Sequence, residues 1–309
     1  MNKPKFSANL LMPQHWPVWI VIGLFAALTF LPYRLQLSLG KGLGLLAYTF
    51  VGRRRHVAEV NIGLCFPEKS NAEQTELVRQ TFINNGIGFF ETLISWFRRP
   101  DYLLSMAEFS GLEKIEQAKA QGNGVILLGA HYSMLDLAGA LIANHIEVSV
   151  TYKRQKHPVL NYVMERGRSR HYKNCFVSKE TRAIVKALRG GDVIWYAPDQ
   201  DFGFKNTVFT EFFGVQTATL TATSQLAKLG KATVLPMTYF RKEDNSGYDI
   251  EIYDALPIPG ESLEADALVA NQFLEAQIRR YPSQYLWLHK RFKSQPGEES
   301  NRGALYKKR

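Results

Sequence analysis

The stretch Gly124-Val-Ile-Leu-Leu-Gly-Ala-His-Tyr-Ser-Met-Leu-Asp136 decides how the chain is read. The short apolar run Val125–Leu128 meets Gly129 and then passes into a helical pattern from Met134 to Asn144. A buried strand that turns at once into a helix is the unit of an α/β fold, and groups at the carboxyl edge of such strands face the ligand. His131 stands in that turn. Histidine is the usual general base near neutral pH, and it needs a carboxylate to fix its tautomer and orientation. Asp136 is the nearest candidate. On one continuous helix, residues five apart diverge by about 140°, so the two meet only if His131 precedes the helix. Ser133-x-x-Asp136 also reads as a capping box with Ser133 as N-cap, which gives Asp136 a structural task instead.

Working outward, β-rich runs alternate with helical stretches. Val125–Leu128, Val148–Tyr152, Asn174–Val177, Val193–Tyr196, Thr233–Phe240 and Tyr248–Tyr253 read as strands. Met134–Asn144, Val159–His171, Arg182–Arg189, Thr219–Lys228 and Leu263–Tyr281 read as helices. This alternation predicts an α/β fold with a mostly parallel central sheet flanked by helices. The short polar loop Lys242–Gly247 predicts an antiparallel pair for the last two strands. Upstream, Ser70–Phe97 reads as a long amphipathic helix, opened by the capping box Ser70/Glu73 and closed by Pro100. The polar tail from Ser294 is expected to be loose.

Three further groups of residues carry chemistry. Lys153, Arg154, Lys156, Arg166, Arg168, Arg170 and Lys173 stand together with only Glu165 opposing them. Such a cluster reads as a site for phosphate or carboxylate, with a solvated basic face as the alternative. Lys153, Arg154, Arg166 and Arg170 are substrate-binding candidates, and Asp201, Lys290 and Arg291, from the two segments that follow, are counted with them. Asp199 and Asp201, in Pro198-Asp-Gln-Asp-Phe-Gly203, follow the strand Val193–Tyr196 and suit structural or orienting roles, such as pairing with one of those arginines. No further acidic ligands stand nearby, so no metal is expected. Tyr285-Leu-Trp-Leu-His-Lys-Arg-Phe-Lys293 contributes Lys290 and Arg291, either to a membrane interface or to the rim of a core tryptophan.

The chain has 309 residues, 46% hydrophobic and 21% charged, which is the composition of a globular protein, and its formal net charge of +10 favours anionic partners. Cys65 and Cys175 lack any metal or disulfide pattern. No Lys, Arg, Asp or Glu occurs between Phe6 and Tyr33, and the segment Met12–Tyr33 just reaches the length of a spanning helix. An N-terminal membrane-anchoring helix is therefore expected, with a cleaved signal peptide and a buried core helix as the alternatives. The apolar segment Leu35–Val51 could lie flat in the interface. Arg34, Lys41 and Arg53–Arg55 place the remainder on the cytoplasmic side, while Lys3 and Lys5 pull the other way, so spanning once and dipping in and returning both stay open. Residues 1–52 are read as anchor and interfacial segment, and residues 53–309 as the catalytic domain. The apolar segment and the lack of a nucleic-acid module argue against nucleic acid as a partner.

His131-x4-Asp136 resembles the HX4D/E motif of the lysophospholipid acyltransferase superfamily. Tyr152-Lys-Arg154 with Pro158, Arg166-Gly-Arg168, Pro198–Gly203, Phe212-Phe-Gly214 with Ala218-Thr219, and Trp287–Lys293 narrow the resemblance to the late acyltransferases of lipid A biosynthesis. The Glu-Gly-Thr-Arg block of the glycerol-phosphate branch is absent. Asp136 stands where many late acyltransferases have Glu, which leaves first or second late acyl transfer open. The resemblance implies an enzyme on the cytoplasmic face of a Gram-negative inner membrane. It would take an acyl chain from acyl carrier protein and esterify a hydroxyl of a Kdo-bearing lipid A precursor, without a cofactor. In that chemistry His131 would deprotonate the hydroxyl and Asp136 would hold the imidazole. Arg168 would stabilise the oxyanion, and Asp199 would orient Arg168. Another lipid acceptor, such as a phosphatidylinositol mannoside or an aminolipid, and a non-catalytic membrane protein that binds anionic lipid are the rival readings.

Overall fold

Four helices open the chain in the computed structural model, which describes residues 4–297 and 301–307. They are α1 (Trp16–Leu28), α2 (Tyr33–Phe50), α3 (Gly52–Cys65) and α4 (Asn71–Phe97). Then follow α5 (Asp101–Leu104), β1 (Ala107–Ser110), α6 (Leu112–Ala120), β2 (Gly124–Leu128), α7 (Leu135–Ile142), β3 (Val148–Tyr152) and α8 (Pro158–Arg168). The second half carries β4 (Cys175–Val177), α9 (Thr181–Arg189), β5 (Val193–Tyr196), β6 (Thr207–Phe212), β7 (Val215–Leu220) and α10 (Ala222–Gly230). β8 (Ala232–Arg241), β9 (Tyr248–Ile252) and α11 (Leu263–Arg280) close the series.

Seven strands form one sheet in the order β1-β9-β8-β2-β5-β3-β4. Every neighbouring pair is parallel except β8 and β9, the antiparallel pair that the short polar loop anticipates. β2 is buried at every position because helices cover both faces of the parallel sheet. The second sheet, a hairpin of β6 and β7, is not anticipated by the sequence reading. It takes residues assigned above to the start of a helix at Thr219, and α10 begins only at Ala222. Phe213 and Gly214, with φ of 55° and 69°, make the two-residue turn in which both central residues are left-handed, the turn that matches strand twist.

The expected N-terminal spanning helix is not found: no described helix is long and apolar enough to cross a membrane. Prolines cut the apolar stretch into pieces. Pro13 opens a short 3-10 turn, α1 covers 13 residues, and Pro32 separates α1 from α2. A helix of that length rises only about 20 Å, against about 30 Å of hydrocarbon. The break is also fastened from outside. The Gln36 amide donates to the carbonyls of Thr29 and Leu31 at 3.0 and 2.8 Å, and Arg98 donates to Thr29 at 2.9 Å.

α4 opens with the expected capping box: Ser70 Oγ accepts from Glu73 N–H, and the Glu73 carboxylate accepts from Ser70 N–H at 2.8 Å. Its middle packs against α2 at backbone distance. A Cβ on Gly40, Gly44 or Gly86 would collide with the facing helix's main chain. Below this contact lies a buried ion pair, Arg241 Nη1 to Glu91 Oε1 at 2.9 Å, to which the Tyr248 hydroxyl also donates. It ties α4 to the β8–β9 pair.

The polar tail is not loose along its described part. Ser294 is buried, and its N–H and hydroxyl donate to Asp201 at 2.6 and 2.9 Å. Tyr306 is buried too, its hydroxyl accepting from Phe292 N–H at 2.9 Å. The buried carboxylate of Asp201 demands donors, and the tail supplies them.

The α2–α4 contact gives a matched test. Gly44→Val should destabilise by about 1–3 kcal/mol, because its side chain enters a close-packed backbone contact. Gly42 faces outward, where a Cβ would meet nothing within 4 Å. Gly42→Ala should therefore be neutral or stabilising by up to about 1 kcal/mol. Equal shifts of the two in denaturant unfolding would contradict the packing.

Candidate active site

Strand register brings two distant segments together. Leu128 of β2 pairs in parallel with Tyr196 of β5. Each chain then runs three residues beyond its pair, to His131 and to Asp199, so the two side chains emerge at the same edge of the sheet. His131 Nδ1 lies 2.6 Å from Asp199 Oδ1, and the His131 backbone N–H donates to Asp199 Oδ2 at 3.0 Å. A carboxylate can only accept here, so Nδ1 carries the proton and Nε2 is left for a ligand.

The turn that holds His131 is fixed on several sides. The Tyr239 hydroxyl donates to the Ala130 carbonyl. Leu286 N–H donates to the His131 carbonyl at 3.0 Å, and Ser133 N–H donates to the Gln284 carbonyl at 2.8 Å. This strand-like pairing of residues 131–133 with 284–286 corrects the expected cap. α7 starts at Leu135 after Met134, and the Ser133 hydroxyl caps nothing.

Asp136 therefore turns elsewhere. From the first turn of α7 its carboxylate receives a two-point bond from Arg168, at the end of α8: Nε to Oδ1 at 2.7 Å and Nη2 to Oδ2 at 3.1 Å. The expected pairings are exchanged: Asp199, not Asp136, holds His131, and Asp136, not Asp199, holds Arg168. The reason is geometric. The helix that starts at Leu135 carries Asp136 toward α8, while the β2–β5 ladder puts Asp199 directly under the imidazole.

These side chains border a cleft of about 350 Å³. His131, Asp136, Arg168 and Lys153 line it, together with Asn85 of α4, Met164 of α8 and Trp195 of β5. The last three are not among the candidates the sequence offers. Trp195 and Met164 sit in elements read correctly as strand and helix, but nothing in a linear sequence says which face of each meets the cleft. Asn85 reaches the cleft only because α4 crosses over it.

The remaining candidates are dispersed. Arg154 lines a separate cavity of about 540 Å³ beside β4. Arg166 and Arg170 line another, of about 760 Å³, between α7 and α8. Asp201 is buried away from the cleft and holds Ser294 and Arg302. Arg291 is buried as well: it donates to the Ala218 carbonyl at 2.7 Å and lies over the Phe212 ring. Lys290 stands over the ring of Tyr306. The aromatic and basic stretch Tyr285–Lys293 thus fastens the C-terminal part of the fold.

The electrostatics of the His131–Asp199 pair follow from its burial. Desolvation alone would raise the Asp199 pKa, but the imidazole's charge and the two hydrogen bonds win and hold it at about 2. Desolvation likewise pulls His131 down, and the Asp199 charge and bond outweigh it, leaving the imidazole above its ordinary 6.5. The protonated imidazole is thus favoured in the fold. Its contribution to stability is full below pH 6.5 and is lost as pH rises through the raised value. A proton NMR titration should find His131 above 6.5, and Asp199→Asn should move it down by about one unit or more. A His131 titration that Asp199→Asn leaves unmoved would rule out the pairing.

An imidazole held by a buried carboxylate, beside a fixed guanidinium in an open cleft, is an arrangement for proton transfer next to a developing negative charge. Comparison with known proteins points the same way. The family model described as bacterial lipid A biosynthesis acyltransferase matches residues 3–294. The chain is 36% identical over 297 residues to a lipid A biosynthesis lauroyltransferase of Escherichia coli (strain K12), covering 96% of this chain and 97% of that protein. It is 34% identical over 299 residues to a lipid A biosynthesis palmitoleoyltransferase of the same strain, with the same coverage. It is 32% identical over 304 residues to a lipid A biosynthesis acyltransferase of Haemophilus influenzae, covering 96% of each chain. With a match along almost its whole length, the chain belongs to the bacterial lipid A biosynthesis acyltransferase family.

Proposed function

We propose that this protein transfers a fatty acyl chain from an acyl carrier protein thioester to a hydroxyl of a Kdo-bearing lipid A precursor. The observation that carries the reading is the His131–Asp199 pair, whose Nε2 is left for the cleft that Arg168 also borders. His131 Nε2 takes the proton of the acceptor hydroxyl as its oxygen attacks the thioester carbonyl carbon. The carbonyl π-electrons move onto oxygen, and the Arg168 guanidinium, anchored by Asp136, stabilises that oxyanion. Collapse expels the carrier's thiolate, which takes the proton back from the imidazolium. An ester and a thiol result, and no enzyme-bound acyl intermediate is needed. The basic chain suits both the acidic carrier protein and the anionic acceptor.

The proposed location is the cytoplasmic face of the inner membrane of a Gram-negative bacterium. Residues 1–52 would make the membrane contact and residues 53–309 the catalytic domain. An exposed apolar surface supports this. Ile20, Val21 and Leu24 of α1 are exposed, and Leu35, Leu39, Leu43, Leu46 and Phe50 of α2 make a stripe at helical spacing, with Phe50 79% exposed. Arg34 and Lys41 stand on the same helix and Arg53–Arg55 follow it, an amphipathic layout that suits a helix lying in the interface.

Mass spectrometry of the lipid product tests the chemistry. Wild type should add one acyl chain to the precursor. His131→Ala should lose about 10²–10⁴-fold in kcat, and Asp199→Asn about 10²-fold or more. Because the carboxylate raises the imidazole pKa, Asp199→Asn should also shift the acid limb of kcat/KM to lower pH. A His131→Ala protein at near wild-type rate would refute the base, and transfer only to another lipid would replace the acceptor. For the membrane contact, Leu39→Glu with Leu43→Glu should weaken binding to anionic vesicles about 100-fold, and unchanged binding would remove α2 from it.

A further inference from the structure

The cavity of about 760 Å³ between α7 and α8 is larger than the catalytic cleft and stands apart from it. Arg99, Arg166 and Arg170 line it with Asn144 and His171, and Asp101 is the carboxylate among its lining residues. Asp101 is engaged by Arg99, Nε to Oδ2 at 3.2 Å. Arg166 donates to the Tyr162 hydroxyl at 2.9 Å, and neither it nor Arg170 pairs with a carboxylate among the described residues. The negative end of the α8 dipole accounts for cations in its last turn. It does not account for Arg170, two residues past the end of α8, lining the same cavity as Arg166, since like charges brought together repel, nor for a third arginine arriving from beyond α4. A guanidinium fork matches the oxygens of a phosphate.

Two further observations narrow the ligand. The α8 face next to Arg166 is covered by the N-terminal segment: Leu10, Trp19 and Ile22 pack with Val159, Tyr162 and Val163, and the exposed Phe6 meets the Tyr162 ring. Arg166 therefore stands beside an apolar N-terminal segment whose Phe6 is exposed. On the other wall, α7 leads straight to the chemistry. Ala140 lies one turn, about 6 Å, beyond the Asp136 that anchors Arg168. A ligand in this cavity has an anionic group beside an apolar layer, and it shares the α7 wall with the cleft that His131 lines.

We propose that this cavity binds a phosphate group on the headgroup of the lipid acceptor. The inference rests on the acyl-transfer reading above and assigns Arg166 and Arg170 to the acceptor instead of the donor. The phosphate anchors the headgroup at the far end of α7, and the acceptor hydroxyl is thereby presented to His131 from a fixed point.

The test is Arg166→Gln with Arg170→Gln in the full chain, both exposed positions, with thermal melting as the folding control. With a phosphorylated acceptor, KM for the acceptor should rise about tenfold or more, while kcat and the KM for the acyl carrier thioester stay within about twofold. With the same acceptor stripped of its phosphate, wild type and variant should have equal KM. Inorganic phosphate should compete with the acceptor in wild type and not in the variant. A rise in donor KM instead would mean that the carrier protein docks here and would overturn the proposal. So would an unmoved acceptor KM, or equal inhibition of both proteins by phosphate. Binding of the phosphorylated acceptor to His131→Ala protein, with and without the arginine substitutions, reads the site without turnover. Loss of binding there supports the cavity even if acyl transfer proves to be the wrong chemistry, and retained binding overturns it.

Discussion

The parallel hydrogen-bond ladder between β2 and β5 is the constraint on which the site depends. It sets Leu128 opposite Tyr196, and from that register the turns after both strands emerge side by side. Had β5 slipped by one residue, every side chain on it would have changed face, and Asp199 would no longer lie under the imidazole. Because Asp199 is buried, its charge must be matched where it sits. The His131 ring and backbone N–H supply the match, so the catalytic histidine of the proposed mechanism is also the group that makes the buried carboxylate tolerable.

A second carboxylate, Asp136, solves the same problem with Arg168. His131, Asp136 and Arg168 line one cleft, so one carboxylate holds an imidazole there and the other a guanidinium. Each anion neutralises its own partner, which leaves the imidazole Nε2 and the remaining edge of the guanidinium for substrate. Both partners are gripped at two points. That suits the proposed mechanism, in which charge forms beside both groups and little reorganisation is required.

The rest of the chain holds this edge in place. Residues 284–286 pair with the His131 turn, and Asp201, Arg291 and the segment from Ser294 fasten that strand-like piece to the hairpin of β6 and β7. On the opposite side, α4 crosses the cleft, packs on α2 through glycine contacts and is tied to β8 by the Arg241–Glu91 pair. α2 shows its other face, a stripe of leucines, to the outside. The arginine-lined cavity and the cleft that His131 lines both border α7 and α8.

The sequence by itself determined the α/β class, the antiparallel final pair, the capped α4 and the turn after β2 that carries His131 to the cleft, because each is written in local periodicity or in a short motif. The run Val125–Leu128 ending at Gly129 needs only its neighbours to be read as a strand and a turn. Which carboxylate serves His131 was not legible. Asp136 is five residues away and Asp199 sixty-eight, and only the pairing of β2 with β5 makes the distant one the nearer. The same holds for the basic residues. A cluster that is continuous in sequence is divided by α8 and β3 among three cavities, since residues two apart on a helix point to different faces. Lys153 and Arg168 reach the cleft, while Arg154, Arg166 and Arg170 do not. The N-terminal apolar run read as long enough to span, but prolines at 13 and 32 and the side chains of Gln36 and Arg98 fold it back. Composition records how much apolar surface a segment has. The tertiary hydrogen bonds decide how that surface is arranged.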